Sequence, residues 1–345
     1  MSYMNKEPVV KTEGKDSKTS AYRSLLLNAL YGEETTWVIG HRSPDSDAVC
    51  SAIALACLLQ KHGINAKAAV SGPLNNETRF ALNSFGLDSP PVIANAEGKQ
   101  FILVDHSSYS QALKGMKKAK ILGILDHHGF GDIQTTQPIY VRSAAVGATA
   151  TLVWLAYLET GTEIPQEIAR ILLTALISDT RNMARNVSGA DREAYAALTP
   201  LAKIEDLNGF YKKMERSLAD YGTMTSKEIF LSDYKEYEAG NKCFGIAVIR
   251  ADDHERIKEL IPEMKKVMKE YLPESEQDML YTIFHDRSEN HIHSLVLLCE
   301  GEGAEELLRR TFSCEDGENC ILIRENLSRK TDIVPALTRK LEKHK

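Results

Sequence analysis

The chain has 345 residues, of which 43% are hydrophobic and 26% charged, a globular composition with enough length for two domains. A formal net charge of -6 argues against a nucleic-acid-binding surface, which needs clustered lysine and arginine, and no apolar run reaches the roughly 18 residues that span a bilayer. Six cysteines (Cys50, Cys57, Cys243, Cys299, Cys314, Cys320) show no C-x-x-C spacing, so reduced thiols and a cytoplasmic protein are expected.

Residues 1–34 read as a polar extension without the apolar core of a signal peptide. Within it, "SAYRSLLLNALYG" predicts a short amphipathic helix, with Ser20 as its cap and Gly32 as its stop. From Thr35 short apolar runs alternate with helical periodicity, the pattern of successive βα units around a parallel sheet. "TWVIG" predicts a strand and "DAVCSAIALACLLQKHG" a helix ending at Gly63; "AKAAVSG", "QFILVDHS" and "KILGILDHH" predict further strands. "ETRFALNSFG" and "SQALKGM" predict the intervening helices. Two longer helices follow at "GATATLVWLAYLETG" and "IPQEIARILLTALISDT", the second with Pro165 at its first turn.

The rhythm weakens near "SLADYGTMTSKEI", which places a domain boundary there. Beyond it the reading is a strand "KCFGIAVIRA", a helix "ERIKELIPEMKKVMKEYL", two strands around "HDRSENHIHS", a helix "AEELLRRTF", a strand "CILIREN", a loop "LSRKTDI" and a last helix. The expected division is thus an extension over 1–34, a first domain over 35–218, a linker over 219–225 and a second domain over 226–345. His291 and His293 alternate as on one strand face, and a hairpin at "SEN" accounts for them without a metal.

The chemistry lies where apolar runs end in acids. "TWVIG" runs into His41, Asp45 and Asp47; "FILV" into Asp105 and His106; "ILGIL" into Asp126, His127 and His128; and "ILLTALIS" into Asp179. Ligands of open α/β sheets bind outside the carboxyl ends of the strands, so such tips converge. Carboxylates and imidazoles without thiolate suit Mn²⁺, Co²⁺ or Mg²⁺ better than structural zinc, and His41 and His127 move the choice toward Mn²⁺ or Co²⁺. The surplus of ligands predicts two ions sharing a carboxylate and holding a hydroxide between them. Two dications and the carboxylates of Asp45, Asp47, Asp105 and Asp179 balance in charge. A polyanionic substrate therefore needs further cations, and Arg329 and Lys330 of "LSRKTDIVP" can supply them.

Together these segments resemble the family II, manganese-dependent inorganic pyrophosphatases of the DHH phosphoesterase superfamily, whose second domain is of the DHHA2 type. "GHRSPDSD", "VDHS", "LDHH" and "ISDT" resemble the family's four metal motifs, and "LSRKTDIVP" its substrate loop. The resemblance implies an α/β fold with a parallel-sheet first domain and a smaller mixed-sheet second one. It implies that His41 and Asp45 bind one metal, that Asp47, His127 and Asp179 bind the other, and that Asp105 bridges them. His128 would face substrate as donor or general acid, with Lys235, Arg329 and Lys330 clamping phosphate. The implied activity is hydrolysis of pyrophosphate to two phosphates by a metal-bridged hydroxide, with Mn²⁺ or Co²⁺ in the centre, Mg²⁺ carried by substrate, and a homodimer. Short-chain exopolyphosphatase is the alternative, followed by phosphodiester cleavage of short nucleotides; the latter calls for a glycine-rich His motif where this chain has "SRK". The family pattern has Asn where Ser43 and Ser107 stand.

Overall fold

Five short strands form a parallel sheet: β1 (Thr36–Ile39), β2 (Ala66–Ala69), β3 (Gln100–Val104), β4 (Lys120–Asp126) and β5 (Tyr140–Ser143), in the order β2-β1-β3-β4-β5. The computed structural model describes residues 25–28, 34–222, 224–251, 254–286, 295–325 and 327–342. Every residue of β3 is buried, as expected for a parallel strand covered on both faces. Alternation along the strands sorts the side chains. Val38, Ile102, Val104 and Leu125 enter the core shared with the main helices, whereas Ile39, Phe101, Leu103 and Ile124 enter a smaller core on the opposite face.

The helices of this half are α1 (Ser46–Lys61), α2 (Asn76–Ser84), α3 (Thr149–Thr160), α4 (Gln166–Asp179), α5 (Gly189–Ala202) and α6 (Leu207–Ser217). Gly40, between β1 and α1, is held to glycine by packing: a Cβ there would lie 2.5 Å from the Ala48 Cβ. β1 and α1 therefore approach closely, and the chain turns sharply through residues 41–45.

The C-terminal half carries a separate mixed sheet of six strands. These are β6 (Tyr234–Ala239), β7 (Lys242–Ala251), β8 (Met279–Asp286), β9 (Leu295–Glu300), β10 (Glu315–Gly317) and β11 (Cys320–Ile323), ordered β10-β11-β9-β8-β7-β6. Among the described strand pairs of this sheet only β7–β8 is parallel. Helices α7 (Ser226–Leu231) and α8 (His254–Tyr271) cover one face, and α9 (Ala304–Thr311) and α10 (Val334–Glu342) the other. The expected α/β architecture, a parallel sheet followed by a mixed one, is the observed one.

Three local expectations change. "SQALKGM" forms turns and a three-residue 3₁₀ turn at Met116–Lys118, not an α-helix. Its backbone carbonyls are engaged from outside: Gln111 O accepts from Arg42 N, Ser110 O from the Arg42 guanidinium and Lys114 O from Ala96 N. β5, β6 and β10 were not expected, β5 because its residues are half-exposed on the sheet edge and lack an apolar run. Residues Arg329–Ile333 form one π-helical turn leading into α10, in place of the expected loop. The N-terminal helix is described only as a turn at Leu25–Asn28, with Leu26 in the main core; Ser20, Gly32, His291 and His293 lie outside the described residues. No described helix is long and apolar enough to cross a membrane, and all six cysteines are free.

Candidate metal centre at the switch point of the parallel sheet

In the order β2-β1-β3-β4-β5 the chain leaves β1 in one direction and returns to β3 in the other, so the crevice of the sheet opens between their carboxyl ends. His41 stands two residues beyond β1, Asp105 directly after β3, and Asp126 is the last residue of β4, with His127 and His128 following. Asp45 caps α1, its Oδ1 accepting from Ala48 N at 3.2 Å. Asp47 lies in the first turn of the same helix. Asp179 is the final residue of α4. Three strand ends and two helix ends thus deliver eight side chains to one place, six of them the expected metal ligands.

Among the described residues three sets of possible ligands overlap: His41, Asp45 and Asp105; Asp47, His127 and Asp179; and Asp105, His127 and His128, so that Asp105 faces both sides. On one side His41 Nε2 lies 3.3 Å from Asp45 Oδ2 and 3.3 Å from Asp105 Oδ2. On the other, His127 Nε2 lies 3.2 Å from Asp105 Oδ1, 3.4 Å from Asp179 Oδ2 and 3.9 Å from Asp47 Oδ2. Asp105 adopts φ 63°, a left-handed conformation that an aspartate enters only at a cost of order 1–3 kcal/mol. The backbone is bent so that one carboxylate reaches both groups. Its N–H donates to Leu125 O at 2.9 Å, which fixes the bend to β4.

The donor set fits hard divalent cations. Nδ1 of His41 lies 2.8 Å from Arg42 O, and Nδ1 of His127 lies 3.0 Å from Val146 O. A backbone carbonyl thereby takes the Nδ1 proton of each ring and leaves the Nε2 lone pair facing the carboxylates. Asp47 is oriented by the start of α3: Oδ2 accepts from Thr149 N, and Oδ1 from Ala150 N at 2.9 Å and from Ser51 Oγ at 3.0 Å. The helix N-terminus favours the ionised carboxylate, but burial, with Asp105 and Asp179 close by, outweighs it and pushes the Asp47 carboxyl up until a cation offsets the charge. Thr149 Oγ1 donates to Asp105 Oδ1 at 3.1 Å.

Without a cation the imidazoles take up protons in its place. Burial works against charge on His41, and Lys235 adds to that, yet Asp45 and Asp105 outweigh both and push the ring up to about 9. Burial likewise opposes charge on His127, but Asp105 and Asp47 push it up to about 10.

The C-terminal half brings its lysines to the same centre. Lys235 Nζ, on β6, lies 3.0 Å from Asp45 Oδ2 and 3.2 Å from His41 Nε2. Lys330 Nζ lies 3.5 Å from His127 Nε2 and 3.6 Å from Asp179 Oδ2. Arg42 and Glu236 pair across the two halves at 2.7 Å. Arg329 is turned differently, its guanidinium held on Asp233 and two backbone carbonyls.

Family models for the DHH family N-terminal domain and the DHHA2 domain match residues 35–176 and 212–340. The chain is 33% identical over 309 residues to the manganese-dependent inorganic pyrophosphatase of Bacillus subtilis, covering 88% of this chain and 98% of that one. It is 33% identical over 312 residues to the enzyme of the same name from Methanothrix thermoacetophila, covering 88% and 97%. The chain belongs to the manganese-dependent inorganic pyrophosphatases. A crystal structure from Methanococcus jannaschii, assigned provisionally to the family II inorganic pyrophosphatases, superposes with a TM-score of 0.77 at 29% identity over 89% of this chain and 99% of that one.

Within this pyrophosphatase architecture Asp126 and Ser107, to which the expected site gave neither a metal nor a substrate contact, complete its surroundings. Asp126 Oδ1 accepts from both the backbone N and Nδ1 of His128 at 3.0 Å, and His128 Nε2 has no hydrogen-bond partner among the described residues. Ser107 Oγ donates to Asp126 Oδ2 at 2.8 Å and accepts from Gly131 N at 2.9 Å. Ser107 therefore acts on the orientation of His128 through Asp126. Asp126 stood in plain view in "LDHH", but its separation from the metal-facing acids is a matter of side-chain direction. Asp233 carries no motif at all.

Proposed function

We propose that the chain hydrolyses inorganic pyrophosphate to two phosphates with two divalent cations, Mn²⁺ first among them. The observation that carries this reading is the division of Asp105, with one carboxylate oxygen toward His41 and the other toward His127. His41 and Asp45 would hold one cation, Asp47, His127 and Asp179 the other, and Asp105 both. Bound there, the cations supply Lewis acidity that activates water and neutralises charge on the phosphoryl oxygens.

The chain's own residues then do three things. The four carboxylates balance the two cations, so the ammonium groups of Lys235 and Lys330, which offset those carboxylates in the ion-free state, are released to meet the phosphates of the substrate. Arg329 adds a planar fork suited to two phosphoryl oxygens. His128, held at Nδ1 by Asp126, presents Nε2 to the substrate and can pass a proton to the leaving phosphate. Cations approaching from the C-terminal half complete a site whose carboxylates lie in the N-terminal half, so closure of the halves excludes water from it.

The same proposal includes Co²⁺ as an alternative ion, Mg²⁺ delivered with substrate, a hinge within residues 219–225, a cytoplasmic setting and a homodimer. The test is phosphate release from pyrophosphate, tripolyphosphate and a dinucleotide, each with Mn²⁺, Co²⁺ or Mg²⁺. Pyrophosphate with Mn²⁺ or Co²⁺ is expected to be fastest; preference for either other substrate overturns the assignment.

A further inference from the structure

Asp233 stands directly before β6, two residues from Lys235, so both project from the same side of the strand. Lys235 reaches the metal centre, whereas Asp233 reaches Arg329. Asp233 Oδ1 accepts from Arg329 Nη2, and the backbone carbonyls of Asp233 and Ile246 accept from Nη1, the latter at 3.2 Å. Ile246 is the residue paired with Lys235 across β6 and β7. Three acceptors thus use three of the five guanidinium hydrogens and set the plane of the fork, leaving Nε and one Nη2 hydrogen without a protein partner among the described residues. The second carboxylate oxygen, Oδ2, accepts from Arg250 Nη1 at 2.9 Å, and Arg250 N in turn donates to the Tyr221 hydroxyl at 2.8 Å. One carboxylate therefore joins Arg329 to the segment between the two halves.

Burial resists ionisation of Asp233, but Arg329 and Arg250 outweigh it and hold the carboxyl down at about 2. The anion is permanent at working pH, and it stands beside a proposed anion site. On charge alone that should weaken substrate binding, since like charges repel across a few ångströms of low-dielectric protein. Its geometric effect is opposite: a long, flexible arginine loses its rotational freedom before substrate arrives.

We propose that Asp233 is a positioning residue that aims the Arg329 fork at the substrate phosphates, a reading that rests on the pyrophosphatase function above. The two effects predict opposite outcomes for Asp233→Asn, which makes the proposal decidable. Wild type, Asp233→Asn, Arg329→Gln and the double variant are compared with pyrophosphate at saturating Mn²⁺ for KM and kcat. Imidodiphosphate binding is measured by calorimetry and Mn²⁺ content by elemental analysis. Asp233→Asn is expected to raise KM roughly 10- to 100-fold, the factor for losing one charge-assisted contact, with a much smaller change in kcat and unchanged Mn²⁺. The double variant is expected to match Arg329→Gln alone, because Asp233 acts through that side chain.

A lowered KM in Asp233→Asn shows that its charge outweighs its geometry and overturns the proposal. So does a double variant in which the two single effects multiply. If Asp233→Asn does not fold, Asp233→Glu keeps the charge while displacing the acceptor. A folded Glu variant with wild-type KM then overturns the proposal, and a raised KM supports it. Failure of the underlying function is a separate result, visible in the wild type alone as absence of phosphate release from pyrophosphate and of imidodiphosphate binding.

Discussion

Asp105 turns one carboxylate oxygen to each of two histidines, Oδ2 at 3.3 Å from His41 Nε2 and Oδ1 at 3.2 Å from His127 Nε2. Removing it should therefore affect both cation positions together. Asp105→Ala is expected to lower pyrophosphate hydrolysis by more than about 100-fold, beyond the loss typical of an outer partner, and to lower Mn²⁺ content. Elemental analysis beside a phosphate-release assay checks both; retention of two ions with near-normal turnover contradicts the shared carboxylate.

Proton uptake by the two rings gives a pH dependence of definite sign. His41 at about 9 and His127 at about 10 lie above the ordinary histidine value near 6.5. Their favourable interactions in the ion-free protein are fully present below about pH 6.5 and fade as pH rises through 9 to 10. Cation binding must displace those protons. Calorimetry in buffers of different ionisation enthalpy should detect proton release on Mn²⁺ binding at pH 7.5. Thermal unfolding should show the ion-free protein losing stability between pH 7 and 10 while the Mn²⁺ form loses less.

Ser107 is buried and joins Gly131 N to Asp126, which holds His128. Ser107→Ala leaves buried groups without a partner, so a loss of about 1 to 3 kcal/mol in folding stability is expected. Turnover should fall more than KM changes, since the affected group is the proposed proton donor and not the proposed phosphate clamp. Denaturant titration and steady-state kinetics separate the two; an unaltered kcat would show that His128 needs no such support.

The Lys235 side chain is 21% exposed at the junction of the halves, and its ammonium lies on Asp45. Lys235→Ala should weaken pyrophosphate use by about 1.5 to 3 kcal/mol, read as a raised KM, while Mn²⁺ content persists. A fall in Mn²⁺ with KM unchanged would assign the lysine to the metal centre alone.

Arg42 and Glu236 form a partly exposed pair between the halves. Such a pair contributes under about 1 kcal/mol and is screened by salt. Glu236→Gln is expected to shift the ligand-free protein toward a more open form at low ionic strength, seen as a larger radius of gyration by small-angle scattering. The difference should vanish near 1 M salt; a difference that persisted there would mean the pair does not act by charge.

The sequence by itself determined the strand tips, because an apolar run ending in acid and imidazole is a local event: Val104 followed by Asp105, or Leu125 followed by Asp126, His127 and His128, is legible without any fold. It determined α1 and α4 for the same reason, since apolar periodicity is written within one element. Ser107 showed only as a departure from a family pattern, and Lys235 only through resemblance, because a lone lysine in a strand has no signature of its own. Tertiary structure alone decided which tips meet. The order β2-β1-β3-β4-β5 opens the crevice between His41 and Asp105, and that order depends on crossover connections that no short window encodes. It also decided that Asp126 faces His128, that Asp233 faces Arg329, and that residues 107–115 remain turns because neighbouring segments engage their carbonyls. These are relations between residues distant in the chain or set by side-chain direction, and hydrogen bonds of a few ångströms exist only once packing has brought the partners together.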